Sequence, residues 1–215
     1  PAGYQPEATT LPNCGVYSDF FLILSIVSHS IPDGWLIYFK EHPTTFLSRM
    51  RGSMYRDNKY YDRVLSFGNV RIISESESTF SLIDHAKAVI TPGGSAGWEA
   101  VVRGVPTLLF GHVWYEACSS VFQIKTYSDC IDAIKKIKAG FTPDYADVER
   151  YAWAAEKASV EGMNYAWEFY DAIKQEDAKS EMHKVAEAFA HSYCDHYGAS
   201  SQNDLQLNRD SLEAS

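Results

Sequence analysis

The stretch Ala88-Val-Ile-Thr91-Pro-Gly-Gly-Ser95-Ala-Gly-Trp-Glu99, running on through Gly104-Val-Pro106 to Thr107-Leu-Leu-Phe110, admits few folds. Ala88–Thr91 is an apolar run too brief for a helix, and Pro92-Gly93-Gly94 stops it. Ser95 stands where an N-cap belongs, for a helix reaching about Arg103; Gly104 takes its C′ position, and Pro106 prevents continuation. Thr107–Phe110 reads as the next buried strand. Strand, glycine turn, short helix, tight turn, strand is the repeating unit of a parallel α/β sheet.

The same stretch has the chemistry of an anion site. Glycines let the backbone approach a ligand closely, and the unpaired N–H groups of a helix start favour phosphate. Glu99 follows one turn into the helix. It closes a capping box only if Ala96 is the N-cap, because Trp98 holds the box position counted from Ser95. The functional reading makes Glu99 an acceptor for a ribose diol while the turn holds the phosphate. An ordinary strand-to-helix turn explains the same residues.

The flanking chain repeats the alternation. Tyr17–Ser30 predicts a nearly all-round apolar helix, capped by Ser18 or Asn13, and Trp35–Phe39 an apolar strand. That strand runs into Lys40-Glu41-His42-Pro43, and Thr44 or Thr45 begins the next helix. Ligands in open α/β sheets gather beyond the carboxyl ends of strands, so a Lys, a Glu and a His here are poorly placed for structure and well placed for chemistry. The plainer account of His42 is a turn histidine bonded to backbone. Arg49–Arg63 reads as an irregular, partly helical surface. Val70–Ser74 is a further strand, with a short helix over Phe80–His85 capped by Thr79 or Ser78. Past Phe110, His112 with Trp114 and Tyr115 either lines a base or sugar pocket or packs a loop. Cys118–Ile124 reads as a last short strand, and Tyr127–Ala139 as an amphipathic helix capped by Ser128 or Asp129 and stopped by Gly140. Pro143 opens a helical region through Lys157.

The expected fold is therefore α/β, a doubly wound parallel sheet of Rossmann-like type with a helical C-terminal extension. The division is a linker over 1–16, a nucleotide-binding domain over 17–163, a helical segment over 164–198 and a polar, disordered tail over 199–215. A net charge of −9 without a basic run argues against nucleic acid as a partner. The longest apolar run, Phe20–Val27, is too short to span a membrane. Four scattered cysteines without a CxxC argue for the cytoplasm. His191-Ser-Tyr-Cys194-Asp-His196 lacks a second ligand cluster, so no metal is expected. The start Pro1-Ala2-Gly3, without Met, reads as a piece of something longer.

Lys40-Glu41-His42-Pro43, followed after about fifty residues by Thr91-Pro-Gly-Gly-Ser95-Ala-Gly-Trp-Glu99 and Gly104-Val-Pro106, resembles one family. It is similar to the nucleotide-binding half of GT-B glycosyltransferases, specifically the capsule polysaccharide biosynthesis proteins that include ulosonic-acid (Kdo) transferases. Gln5-Pro6-Glu7-Ala-Thr-Thr10 and Phe110-Gly-His-Val-Trp114-Tyr115 resemble further segments of such proteins. The resemblance covers roughly residues 4 to 170.

It implies a nucleotide-sugar donor, commonly a CMP-activated acidic sugar, and a glycan acceptor. No cofactor and no divalent metal are implied. By position, His42 contacts the donor phosphate with help from Lys40. Thr91, Gly93, Gly94 and Ser95 form the phosphate-facing turn, Glu99 binds the ribose, and His112 belongs to the same nucleotide-sugar site. Only one Rossmann-like domain fits in 215 residues. The half that usually supplies the acceptor site and a catalytic acid is therefore expected to be a separate N-terminal domain, and the acid nearest the cleft in this chain is Glu7. A peripheral assembly complex at the inner face of the membrane fits the same picture. The competing readings are a UDP-sugar epimerase of the same architecture and a non-catalytic Rossmann-like scaffold; a redox enzyme lacks its GxGxxG.

Overall fold

A computed structural model describes residues 10–46, 56–159, 180, 183–188 and 191–192. The chain divides into two compact units, Pro1–Ala152 and Trp153–Ser215. In the second unit, the described residues past 159 are helical, and His183 Nε2 pairs with Glu187 Oε1 at 3.3 Å. The remainder of the expected 164–198 segment, and the whole 199–215 tail, lie outside the described residues.

The first unit opens with a 3-10 turn, Gly15–Ser18, and then alternates helices and strands: α1 (Phe20–Ser30), β1 (Ile37–Lys40), a second 3-10 turn (Pro43–Phe46), α2 (Asn58–Leu65) and β2 (Val70–Ile73). There follow α3 (Thr79–Asp84), β3 (Val89–Thr91), α4 (Ala96–Val102), β4 (Thr107–Leu109), β5 (Val121–Gln123), α5 (Tyr127–Lys138) and α6 (Tyr145–Ala158), the last crossing into the second unit. Among the described residues, all strand pairing is parallel. β1 pairs with β2, Ile37 opposite Val70 and Lys40 opposite Ile73. In a second ladder β4 lies between β3 and β5, with Thr91, Leu109 and Gln123 level at its carboxyl end. The mixed α/β architecture with parallel strands is the one read from the alternation.

Burial explains why β4 is central. Its three residues are all buried, as a strand covered on both faces must be. Successive side chains point to opposite faces. Leu108 accordingly joins the main core with Val27 and Leu24 of α1 and Ile134 and Ile137 of α5. Leu109 faces the other way, onto Val101 of α4, Tyr115 and Val148 of α6. Ile37, Phe39 and Val70 share the main core with Leu108 and Phe110, so both ladders rest on one apolar mass.

Several boundaries differ from the sequence reading. α1 starts at Phe20, not Tyr17; Asp19 caps it by accepting from the Phe21 amide at 2.9 Å, and Ser18 instead bonds the Gly15 carbonyl. A 3-10 turn, Pro43–Phe46, follows His42 where a helix was expected to begin, and 47–55 lie outside the described residues. The partly helical Arg49–Arg63 resolves into α2 from Asn58, N-capped by Asp57; 49–55 lie outside the described residues. α5 is capped by Thr126, two residues before Ser128, the nearer of the expected caps, in a full capping box whose acid is Asp129. Gly104 does take the left-handed conformation, at φ +78°, behind α4.

Thr10–Gly15 closes over the carboxyl end of β3 and β4. The Cys14 thiol donates to Pro92 O at 3.1 Å, and the His112 amide donates to Asn13 O at 3.0 Å. Gly111 is wedged beneath: a Cβ there would run into Pro92 O and Cys14 Sγ, and would lie 3.0 Å from Asn13 O. Gly111→Ala is therefore expected to cost about 1–3 kcal/mol of stability, read as a lowered urea midpoint. A second expectation concerns pH. Hydrogen bonds from Thr126 and the Lys125 and Thr126 amides hold the Asp129 carboxyl below its ordinary 3.8. A lowered folded value contributes stability above the unfolded one, which is lost as the pH falls through the folded one. Asp129→Asn should thus be less stable than wild type at neutral pH, and the gap in urea midpoint should close as the pH drops below 3.8.

Candidate functional site

The turn after β3 is held from beneath. Thr91 is buried, and its Oγ1 accepts from the amides of Gly93 at 3.2 Å and Gly94 at 2.9 Å. The Tyr115 hydroxyl donates to Gly94 O at 2.5 Å, and burial pushes that phenol well above its ordinary value. α4 presses its backbone onto the strands at Gly97, whose carbonyl accepts from Thr107 Oγ1 at 2.8 Å. A Cβ at Gly97 would collide with the Tyr115 hydroxyl and lie 3.0 Å from both the Thr107 and Thr91 methyls.

Ser95 occupies the N-cap position, but its backbone is already helical and its side chain makes no cap hydrogen bond. The Ser95 hydroxyl donates instead to Glu99 Oε1 at 2.9 Å. Glu99 therefore takes no part in a capping box, and it lies half-buried beside the exposed Ser95. The amides of Ser95 and Ala96 meet no acceptor among the described residues. The turn thus offers those two donors, whereas the two glycine amides are engaged by Thr91.

At the end of β4, His112 projects into solvent with its side chain 66% exposed. Its Nδ1 bonds Glu116 Oε2 at 2.9 Å. The same oxygen accepts from the Val113 amide at 3.3 Å and from Gln123 Nε2 at 3.1 Å, and Gln123 also donates to Gly111 O. Three donors on one carboxylate oxygen fix the acid, and the acid fixes the ring. Of the two neighbouring aromatics, Tyr115 is packed inside, while Trp114 is 57% exposed against Trp98 at 4.8 Å. Glu116 and Gln123 were not among the sequence candidates; the His112-to-Glu116 spacing of four was the available signal for the first.

At the end of β1, exposure alternates. Tyr38 is exposed, Phe39 buried, Lys40 half-buried, Glu41 buried and His42 exposed. Glu41 is therefore not a cleft residue: its Oε1 takes a 2.7 Å hydrogen bond from Arg56 Nε, both side chains being almost wholly buried. Lys40 and His42 lie on the opposite parity, and the Thr45 amide donates to His42 O at 2.9 Å. Arg56 gave no sequence signal, since it lies fifteen residues from its partner.

The fold thus gathers Thr91, Gly93, Gly94, Ser95, Glu99 and His112 at the carboxyl edge of the β3–β4–β5 ladder, and places Lys40 and His42 at the end of β1. Among the described residues, no hydrogen bond or ion pair joins Lys40 to the glycine turn. Glu7 lies outside the described residues. Within them, no group of three or more His, Cys, Asp or Glu is poised to hold a metal ion, and no helix is long and apolar enough to cross a membrane.

A family model described as capsule polysaccharide biosynthesis protein matches residues 11–123, just over half of the chain. No curated protein and no solved structure matches.

The Thr91 hydroxyl is the part of this edge most open to a direct check. Thr91→Val keeps the volume and removes the acceptor of two amides. It is expected to cost about 1–3 kcal/mol, measured by urea denaturation, with faster hydrogen exchange confined to Gly93 and Gly94.

Proposed function

The chain belongs to the capsule polysaccharide biosynthesis protein family, with a role in capsule synthesis, and we propose that it is the nucleotide-sugar-binding half of a glycosyltransferase. One observation carries the reading. The matched span, 11–123, takes in both Lys40–Pro43 and the Thr91–Glu99 turn, and the fold sets each at the carboxyl end of a parallel strand, where α/β sheets take ligands.

The proposed donor is a CMP-activated acidic sugar and the acceptor a glycan. His42 and Lys40 supply positive charge to the donor phosphate. The turn at Gly93, Gly94 and Ser95, shaped by Thr91, faces the same phosphate, Glu99 accepts from the ribose, and His112 flanks the nucleotide sugar. In the transfer, the bond between the anomeric carbon and the phosphate oxygen breaks, and its electron pair leaves with CMP. The acceptor hydroxyl oxygen bonds to the anomeric carbon and gives up its proton. The protein's work is to stabilise the charge growing on the departing phosphate. Glu7 is the proposed acid–base residue of this chain, and an N-terminal Rossmann-like domain is the proposed source of the acceptor site.

Calorimetry with CMP and UDP tests the assignment. Wild type should bind CMP in preference to UDP, and His42→Ala and Glu99→Ala should each weaken CMP binding about tenfold or more, roughly 1.4 kcal/mol. Unchanged affinity in both variants defeats the site. A preference for UDP favours the epimerase reading, and no binding of any nucleotide favours the scaffold.

A further inference from the structure

The acid inside the Lys40–Pro43 motif is the least expected feature of the fold. Glu41 is 3% exposed, and its Oε1 accepts a 2.7 Å hydrogen bond from Arg56 Nε. Its second oxygen, Oε2, meets no hydrogen-bond partner among the described residues, and neither does the buried hydroxyl of Thr45 in the turn that follows. A buried ion pair repays its desolvation only when its remaining lone pairs are satisfied, and an apolar pair of similar volume is commonly as stable or more so. An orphaned buried oxygen adds to that cost. Stability alone therefore does not account for an acid at this position.

The surroundings show what the pair does hold. Arg56 lies over the ring of Tyr60 in α2, 4.2 Å from its centroid. Tyr60 in turn packs against Phe21 of α1 at 5.0 Å and Phe39 of β1 at 6.4 Å. Phe39 is the inward residue two positions before Glu41. The stack Phe39–Tyr60–Arg56–Glu41 thus carries the inward register of β1 one step past the end of the strand. With Phe39 and Glu41 both held inward, Lys40 and His42 are both committed to the other side.

We propose that Glu41 is a positioning residue: its buried pair with Arg56 sets the register at the exit of β1, so that Lys40 and His42 present their cations together to the donor phosphate. This rests on the proposed nucleotide-sugar site. Glu41 itself touches no substrate. It places a negative charge behind the Lys40 and His42 side chains, and α2 becomes part of the site's support through Arg56.

The test replaces the pair without unpacking it. A double variant, Glu41→Leu with Arg56→Met, should keep or raise the urea midpoint, yet lose CMP affinity by about tenfold or more and shift the imidazole ring resonances of His42 in NMR spectra. Glu41→Gln, which keeps an oxygen for Arg56 Nε, should restore part of the affinity and return the His42 resonances toward wild type. Wild-type CMP affinity together with unmoved His42 resonances in the double variant overturns the inference and makes the pair merely structural. If the double variant does not fold, Glu41→Gln decides by the same two readouts, wild-type values again overturning the inference. If wild type itself binds no CMP, the glycosyltransferase reading falls, while the His42 resonances still decide whether Glu41 sets the register.

Discussion

Strand β4 has water on neither side, and the carboxyl edge of its ladder depends on that. Leu108 is committed to the core under α1 and α5, and Leu109 to the core under α4 and α6. A strand fixed by both faces cannot slip by one residue without turning each set into the wrong layer. The residues that follow inherit that fixity: Phe110 packs edge-on against Tyr17 at 5.0 Å, Gly111 lies under the Thr10–Gly15 segment, and His112 emerges in one orientation.

The two strand ends reach their geometry by different chemistry. Behind β3, backbone does most of the work. α4 comes close enough at Gly97 to exclude a methyl group, and the Thr91 hydroxyl occupies two donors of the turn while the Tyr115 hydroxyl occupies one acceptor. Behind β1, a charged pair does it, anchored through Tyr60 to α1 and α2. The first arrangement is built from uncharged hydroxyls and backbone. The second keeps a carboxylate and a guanidinium out of water.

The elements with local punctuation were readable from the sequence, since their signals are the chemistry that forms them. Gly104 is left-handed because α4 ends there, and Pro106 follows because no helix continues. Ser78 caps α3 as one of the two hydroxyls expected to do so. Caps chosen among neighbours were misplaced by a residue or two: Asp19 rather than Ser18, Thr126 rather than Ser128. Each is a choice between adjacent polar side chains, settled by how the preceding chain approaches the core. The side-chain pairs were illegible for another reason. Nothing in Lys40-Glu41-His42 says that its acid turns inward, since the partner that draws it there, Arg56, is brought near only by the docking of α2. Thr91 was readable as a strand end, but its use as the acceptor for two glycine amides follows from a turn geometry that the letters do not encode.

Three buried thiols among the described residues give this molecule internal reporters at separate depths. Cys130 lies on α5 in the main core, Cys118 in the cluster under α4 and α6, and Cys14 against Pro92 at the rim. A thiol reagent reaches each only when its own surroundings part, so their labelling rates rank three distinct opening reactions. For Cys14 the opening is the lifting of Thr10–Gly15 from Pro92 and Gly111. The rate at which that sulfur reacts is thus a clock for how often the segment uncovers the edge where the strands end.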